Sequence, residues 1–164
     1  MPRDSRMSRM LHVLIHMDRH VKRATSAQIS KMLGTNPVVV RRMMSGFRDK
    51  GYVTSEKGHG GGWELACGLD AITLLDVYRA IGEPPLFSIG PHADHPDCLV
   101  EQAVDARMDA ALGEAEALLM ARFGEITIAD LAEDFEQRLA GQPVPAGAYG
   151  VCPEADIATT GKLP

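Results

Sequence analysis

The spacing of apolar residues predicts a row of short helices at the start of the chain. Between residues 6 and 20 the apolar positions recur every three or four residues, as in an amphipathic helix. They are Met7, Met10, Leu11, Leu14 and Ile15. Two further helical patterns follow, with apolar positions at Ile29, Met32 and Leu33 and at Val40, Met43, Met44 and Phe47.

The residues between these patterns predict where each helix begins and ends. Thr25 and Gln28 have the spacing of a capping box, in which two side chains bond reciprocally to backbone amides. Gly34 suits the end of that helix, and Asn36 followed by Pro37 suits the start of the next one. A connection this short predicts a helix-turn-helix pair.

A β-hairpin is predicted directly after this pair. Residues 52–57 alternate apolar and polar, residues 58–62 read Gly-His-Gly-Gly-Gly, and residues 63–66 return as a second strand. A hairpin in this place is a wing, and its glycines let the backbone approach a DNA groove without a side-chain clash. The alternative is a plain hairpin turn with no ligand.

Longer helices are predicted in the second half of the chain. Thr73 and Asp76 cap one helix, and Thr127 and Asp130 cap the last one. Between them, residues 98–122 contain no proline and only one glycine, which predicts a long helix. Such a helix buries its apolar stripe only against a partner, so we expect it to mediate dimerisation.

These elements predict a mainly α fold with four segments. A winged helix-turn-helix domain with a β-hairpin wing occupies residues 1–83, and residues 84–97 form an effector or sensor loop with four prolines. Dimerisation helices, including the long C-terminal helix, occupy residues 98–141, and residues 142–164 form a flexible tail.

Composition narrows the class of protein. The chain has 164 residues, 45% of them hydrophobic, which fits one domain or one small domain plus an appendage. Its uncharged runs are too short to span a bilayer, and its N-terminus lacks the apolar core of a signal peptide. Three scattered cysteines do not make a secreted disulfide framework. We therefore expect a cytoplasmic protein with no membrane partner.

Charge is divided unevenly along the chain. Residues 1–62 contain 12 Lys and Arg against four Asp and Glu, a net charge of +8. Residues 63–164 contain five against 18, a net charge of -13. A basic end of this kind favours a polyanion such as DNA as the partner, whereas two segregated solvated faces are the alternative.

The second helix of the pair has the composition of a DNA-recognition helix. Recognition helices contact bases with their N-terminal residues while their cations contact phosphates. The first turn here contains Asn36, Pro37 and Val38, and the exposed positions include Arg41, Arg42 and Arg48.

The order of elements and two motifs resemble the Rrf2 family of bacterial transcription regulators. Residues 57–63 read Lys-Gly-His-Gly-Gly-Gly-Trp where the family has Arg-Gly-x-Gly-Gly-Gly-Tyr. Residues 72–77 read Ile-Thr-Leu-Leu-Asp-Val where the family has Ile-Thr-Leu-x-Asp-Ile/Val. The resemblance covers roughly residues 6–140 and implies a homodimer on a pseudo-palindromic operator in double-stranded DNA.

The resemblance also implies which residues face DNA. Those in the major groove are Asn36, Pro37, Val38, Arg41 and Arg42, and those of the minor-groove wing are Gly58, His59, Gly60, Gly61 and Gly62. The predicted DNA-binding set further includes Thr25, Ser26, Arg48 and Lys57. The family often has Glu and Gln where this chain has Arg41 and Arg42, so its operator is expected to differ.

Several Rrf2 regulators hold an iron–sulfur cluster through three cysteines in the loop before the long helix. Here residues 83–97 contain no cysteine, and only Cys98 matches the last of the three positions. Glu101 stands where some family members have a ligand histidine. We therefore expect no family-type iron–sulfur cluster and no other cofactor, with zinc or iron as the alternative.

Two alternatives for the signal remain open beside a small organic effector. The first is a thiol switch at Cys98, whose helix N-terminus favours the thiolate while Asp97 and Glu101 oppose it, with Cys152 as resolving partner. The second is zinc or iron held by His92, His95 and Cys98. An inert Cys98 and solvated histidines are the simpler interpretations.

The sequence as a whole predicts a sequence-specific, homodimeric DNA-binding regulator, with repression the expected action and the signal sensed near residues 84–98. It contains no nucleophile elbow or phosphate-binding nucleotide loop, so an enzyme is not expected. A winged-helix module that binds proteins instead of DNA is the alternative from another class, which the basic N-terminal part disfavours.

Overall fold

The computed structural model describes residues 4–19, 21–58, 60–90 and 97–140. The helices are α1 (Arg6–Arg19), α2 (Ser26–Leu33), α3 (Pro37–Asp49), α4 (Leu74–Ala80), α5 (Leu99–Glu125) and α6 (Ile128–Ala140). The strands β1 (Arg23–Ala24), β2 (Val53–Glu56) and β3 (Gly62–Leu65) form an antiparallel sheet in the order β1-β3-β2. The expected fold, a winged helix with a hairpin and a long C-terminal helix, is confirmed.

The helix ends of the helix-turn-helix pair lie where the sequence places them. The Thr25 hydroxyl accepts a hydrogen bond from the Gln28 amide at 3.2 Å, and the Gln28 side chain accepts one from the Thr25 amide at 2.8 Å. Gly34 adopts φ +58° after α2, and the Asn36 side chain accepts a bond from the Val38 amide at 2.7 Å. These local bonds fix where α3 begins relative to α2.

One hydrophobic core joins α1, α3, α4 and the hairpin. Its largest fully buried side chains include Met10 and Leu14 of α1 and Met44 and Phe47 of α3. Helix α3 approaches the end of α4 so closely that a Cβ on Gly46 would lie 2.0 Å from the Ala80 carbonyl oxygen. The side of α3 opposite this contact is left for solvent or a ligand.

Two features of the fold are absent from the sequence prediction. Strand β1 pairs with β3, joining Ala24 to Trp63 and adding a third strand to the hairpin. The start of α6 also enters the winged-helix core, where Ile128 is fully buried and Ala132 nearly so. The Ile128 amide donates to the Ile72 carbonyl at 2.8 Å, so the core extends past the predicted domain boundary at residue 83.

Helix α5 contrasts with the other helices because none of its described residues is buried. Its large apolar side chains are widely exposed, with Leu99 at 79%, Val100 at 72% and Leu118 at 74%. Its C-terminal half packs against α4, where Tyr78 and Phe123 form an edge-on aromatic contact at 6.3 Å. The segment 84–97 is described only as far as Gly90 and again from Asp97, and the predicted tail lies outside the described residues.

Candidate nucleic-acid interface

An open groove runs between the start of α2, the exposed side of α3 and the wing. We call it the α3–wing groove. It is lined by Thr25, Ser26, Ala27, Pro37, Arg41, Ser45, Arg48, Ser55, Glu56, Lys57, Gly58, Gly61, Gly62 and Trp63. Most of the residues predicted to face DNA therefore share one concave surface, although they come from separate parts of the sequence.

The cations of α3 point away from the core. Arg41 and Arg42 are exposed, and neither makes a hydrogen bond or an ion pair within the described part of the chain. Arg48 donates to one oxygen of its neighbour Asp49, from Nη2 at 3.2 Å and from Nε at 3.4 Å. Arg41 and Arg48 line the α3–wing groove, whereas Arg42 does not. The helix thus presents cations in two directions.

The wing is built from glycines that the backbone requires. Gly58 and Gly60 have φ of +97° and +78°, and a Cβ on Gly61 would lie 2.4 Å from the Glu56 carbonyl oxygen. Turn geometry therefore accounts for these glycines before any DNA contact is considered. Lys57, at the end of β2, is exposed, and His59 lies outside the described residues.

A buried indole fastens the wing to α2. Trp63 is 7% exposed, and its Nε1–H donates to the Ser26 hydroxyl at 2.9 Å. Ser26, predicted as a DNA contact, thus has an internal partner and keeps its own hydroxyl proton for another acceptor. The bond holds the base of the hairpin at one wall of the groove.

Arg23 links all three strands of the sheet and was not predicted as a functional residue. Its guanidinium donates to Glu64 on β3 at 2.7 Å and also to Glu56 on β2. Hydrogen bonding to Glu64 and then to Glu56 raises the pKa of Arg23 above its ordinary value. The Arg23 charge is therefore paired with carboxylates of the sheet. The sequence near Arg23 does not predict these ion pairs, because β1 pairs with a strand about 40 residues away.

Helix pair, wing and groove together define a winged helix-turn-helix protein. A profile of the Rrf2 family, described as iron-dependent transcriptional regulators, matches residues 3–134. YwnA of Bacillus subtilis (strain 168), named as an HTH-type transcriptional regulator, is 34% identical over 109 residues, covering 65% of this chain and 78% of YwnA. The chain belongs to the Rrf2 family of transcriptional regulators.

Solved structures agree with this fold. A transcriptional regulator from Lactobacillus plantarum superposes with a TM-score of 0.67 at 23% identity, covering 88% of this chain and 93% of that one. A structure described as a DNA-binding protein superposes with a TM-score of 0.58 at 28% identity, covering 77% of this chain and 98% of that one. The first of these shows the likeness of fold alone.

The description of the family as iron-dependent makes the thiol donors of this chain important. Cys67 is half-buried after β3, and burial, followed by Asp70 and Asp76, raises the pKa of its thiol. Cys98 is exposed at the N-cap of α5, where its side chain makes no capping bond. Between the winged helix and α5 the chain offers one cysteine, Cys98, so its residues do not fit a cluster held by three cysteines.

The other predicted signal-sensing residues are only partly placed. His92, His95 and Cys152 lie outside the described residues. Within the described ranges, no group of three or more His, Cys, Asp or Glu is placed to hold a metal ion. None of the helices there is long and apolar enough to cross a membrane.

Proposed function

We propose that this protein is a homodimeric, sequence-specific DNA-binding repressor. The observation that carries the proposal is the α3–wing groove, which gathers Arg41, Arg48 and Lys57 on one concave surface. These residues belong to the segment whose net charge is +8, while the remainder of the chain is strongly acidic. DNA attracts the first part and repels the second, which orients the groove toward the duplex.

The wing and α3 take complementary places on the duplex. Helix α3 enters the major groove with its first turn, as recognition helices do. The glycine-rich tip between β2 and β3 reaches the adjacent minor groove, where it adds little steric bulk. The 2.9 Å hydrogen bond from Trp63 to Ser26 fastens the wing to α2, which a short turn joins to α3.

Helix α5 supplies the dimer contact. Its N-terminal half presents an apolar surface formed by Leu99, Val100, Ala103, Val104 and Met108, and nothing else in the described chain covers it. Burial of an aliphatic side chain of this size contributes about 2 kcal/mol. A second copy offers the same surface, and two-fold symmetry then matches a pseudo-palindromic operator.

The signal is proposed to act near residues 84–98, which connect the winged helix to α5. The donor set supports sensing without a family-type iron–sulfur cluster. Of the two described cysteines, Cys98 is the exposed one and Cys67 has a raised pKa, which favours Cys98 as a thiol sensor. Zinc or iron binding by His92, His95 and Cys98 is the alternative. A change at this junction would tilt the two winged helices relative to the half-site spacing.

Binding to a duplex from the protein's own upstream region tests the proposal. We expect a specific complex of two chains per duplex, with affinity that falls steeply as salt rises. Arg41→Ala and Lys57→Ala should each weaken binding by about tenfold or more, as expected for charge-assisted contacts. Arg138→Ala removes an exposed cation from α6 and serves as the matched control. Fluorescence anisotropy and sedimentation give affinity and stoichiometry.

Two results would contradict the proposal. Absence of a salt-dependent specific complex under both reducing and oxidising conditions would favour the protein-interaction module. Equal losses for Arg41→Ala and Arg138→Ala would remove the α3–wing groove as the binding surface. A reporter driven by the upstream region, whose activity rises when the gene is deleted, establishes repression.

A further inference from the structure

The first turn of α3 presents two valines to solvent. Val38 is 62% exposed and Val39 is 42% exposed, whereas the next residue, Val40, is fully buried. β-Branched side chains lose rotamer freedom in a helix, and exposed ones recover none of that loss through packing. Stability of the fold therefore accounts for Val40 but gives no reason for Val38 and Val39.

The valines lie beside the free cations of the same helix. Arg41 and Arg42 follow Val38 by three and four residues, the spacing of neighbours on one helix face. Val39 has the same relation to Arg42. The Asn36 side-chain oxygen accepts a hydrogen bond from the Val38 amide at 2.7 Å and so fixes this turn. The result is a small apolar surface beside two guanidinium groups.

The two arginines have different surroundings. Arg41 lines the α3–wing groove together with Arg48 and Lys57. This cluster of cations suits a DNA phosphate. Arg42 lies outside that groove and adjoins both valines. A guanidinium beside an apolar surface matches a guanine next to a thymine, because guanine offers two acceptors in the major groove and thymine offers a methyl group.

We infer that Val38 and Val39 recognise thymine through its 5-methyl group and that Arg42 binds an adjacent guanine in each half-site. The inference rests on the proposed function, in which α3 enters the major groove. DNA fits this surface better than a protein because the valine pair is small and is bordered by cations. The operator half-site is therefore expected to contain thymine next to guanine, contacted by α3.

Chemical removal of the methyl group tests the inference directly. Wild-type protein first selects its preferred duplex from a pool of random sequence. Each thymine of that duplex is then replaced in turn by 2′-deoxyuridine, which lacks only the 5-methyl group, and Kd is measured by fluorescence anisotropy. We expect one or two replacements per half-site to weaken binding by about threefold to tenfold, the range for burial of one methyl group.

Variants assign the effect to the valines. Val38→Ser removes both branch methyl groups, so its Kd should rise and should no longer respond to deoxyuridine at the contacted position. Val38→Thr retains one methyl group and should keep most of the response. Gln137→Ser changes an exposed, uncharged side chain of α6 and should respond as the wild type does. Thermal unfolding of each variant is expected to match the wild type because both sites are exposed.

The outcomes separate the inference from the function on which it rests. Failure to enrich any sequence overturns the proposed function and the inference with it. Enrichment of a sequence whose affinity is unchanged by every deoxyuridine overturns the inference and leaves the function standing. A Val38→Ser and a Val39→Ser variant that both respond to deoxyuridine as fully as the wild type would overturn the assignment to the valines.

Discussion

At the scale of single residues, the charged Asp76 carboxylate also caps the start of α4 through its hydrogen bonds with Thr73. Its carboxylate accepts hydrogen bonds from the Thr73 amide at 2.9 Å and the Thr73 hydroxyl at 2.7 Å. Burial by itself raises the pKa of Asp76, but the bonds from Thr73 and Tyr52 outweigh it and the net shift is downward. Burial, followed by the bond to Asp76, raises the pKa of Tyr52 to about 12.

The lowered pKa of Asp76 predicts a pH-dependent contribution to stability. Because the folded pKa lies below the ordinary value of 3.8, the contribution is complete above that pH and is lost as pH falls through the folded pKa. Asp76→Asn should cost about 1 kcal/mol in free energy of unfolding near neutral pH, the usual range for a helix cap. The difference from the wild type should shrink in acid.

Urea unfolding at a series of pH values measures this difference. Asp134→Asn, on the exposed surface of α6, is the matched control and should stay within about 0.5 kcal/mol of the wild type. A difference for Asp76→Asn that is as large in acid as at neutral pH would show that the charge has no part in the effect.

At the scale of elements, the orientation of the wing depends on Arg23. This residue joins β1 to Glu64 and Glu56, and its charge is therefore already paired. Arg23→Gln should weaken operator binding by about twofold to fivefold, because solvent-exposed ion pairs contribute only modestly. The slope of log affinity against log salt should remain unchanged, since a positioning residue releases no counterion from DNA.

The slope of log affinity against log salt distinguishes a residue that positions the wing from one that contacts a DNA phosphate. Lys57→Gln, at the adjoining end of β2, should reduce the slope by about one, as expected when a phosphate contact is lost. A similar reduction for Arg23→Gln would mean that Arg23 leaves its carboxylate partners and binds a phosphate. Titrations at several salt concentrations provide both slopes.

Elements set by local bonds were predictable from sequence, and those set by distant contacts were not. The caps at Thr25, Asn36 and Thr73 depend on residues two or three positions away and lie where predicted. Strand β1 is only two residues long and exists because β3 lies beside it. The grouping of candidate DNA contacts was predicted from motif order, whereas the Trp63–Ser26 bond requires the folded hairpin.

At the scale of the whole molecule, the last described helix, α6, contributes to the hydrophobic core of the N-terminal winged helix. Ile128 is fully buried in the core shared with α1, α3 and the hairpin, although it follows the long helix α5. Ile128→Ala should lower the free energy of unfolding by about 3 kcal/mol, because it leaves a cavity in the winged helix. Ile89→Ala, at a site 67% exposed, is the control and should have little effect.

Chemical denaturation of both variants measures this contribution. A loss below about 1 kcal/mol for Ile128→Ala would mean that α6 is only loosely attached in solution. A large loss would mean that a fragment of residues 1–83 lacks part of its own core. The predicted role of residues 98–141 in dimerisation stays a prediction in either case.

A backbone bridge between Thr73 and Thr127 fixes the C-terminal end of α5 to the winged helix. A rotation of α5 about this fixed end displaces its N-terminal end the most. The Leu74 amide donates to the Ile126 carbonyl at 2.9 Å, which fastens the C-terminal end of α5 beside α4. Twenty-seven helical residues span about 40 Å, so a rotation of about 5° at the fixed end moves the far end by about 3.5 Å. That displacement is close to the rise of one base pair, about 3.4 Å. In the proposed dimer, a displacement of this size would change the separation of the two winged helices relative to the spacing of the half-sites.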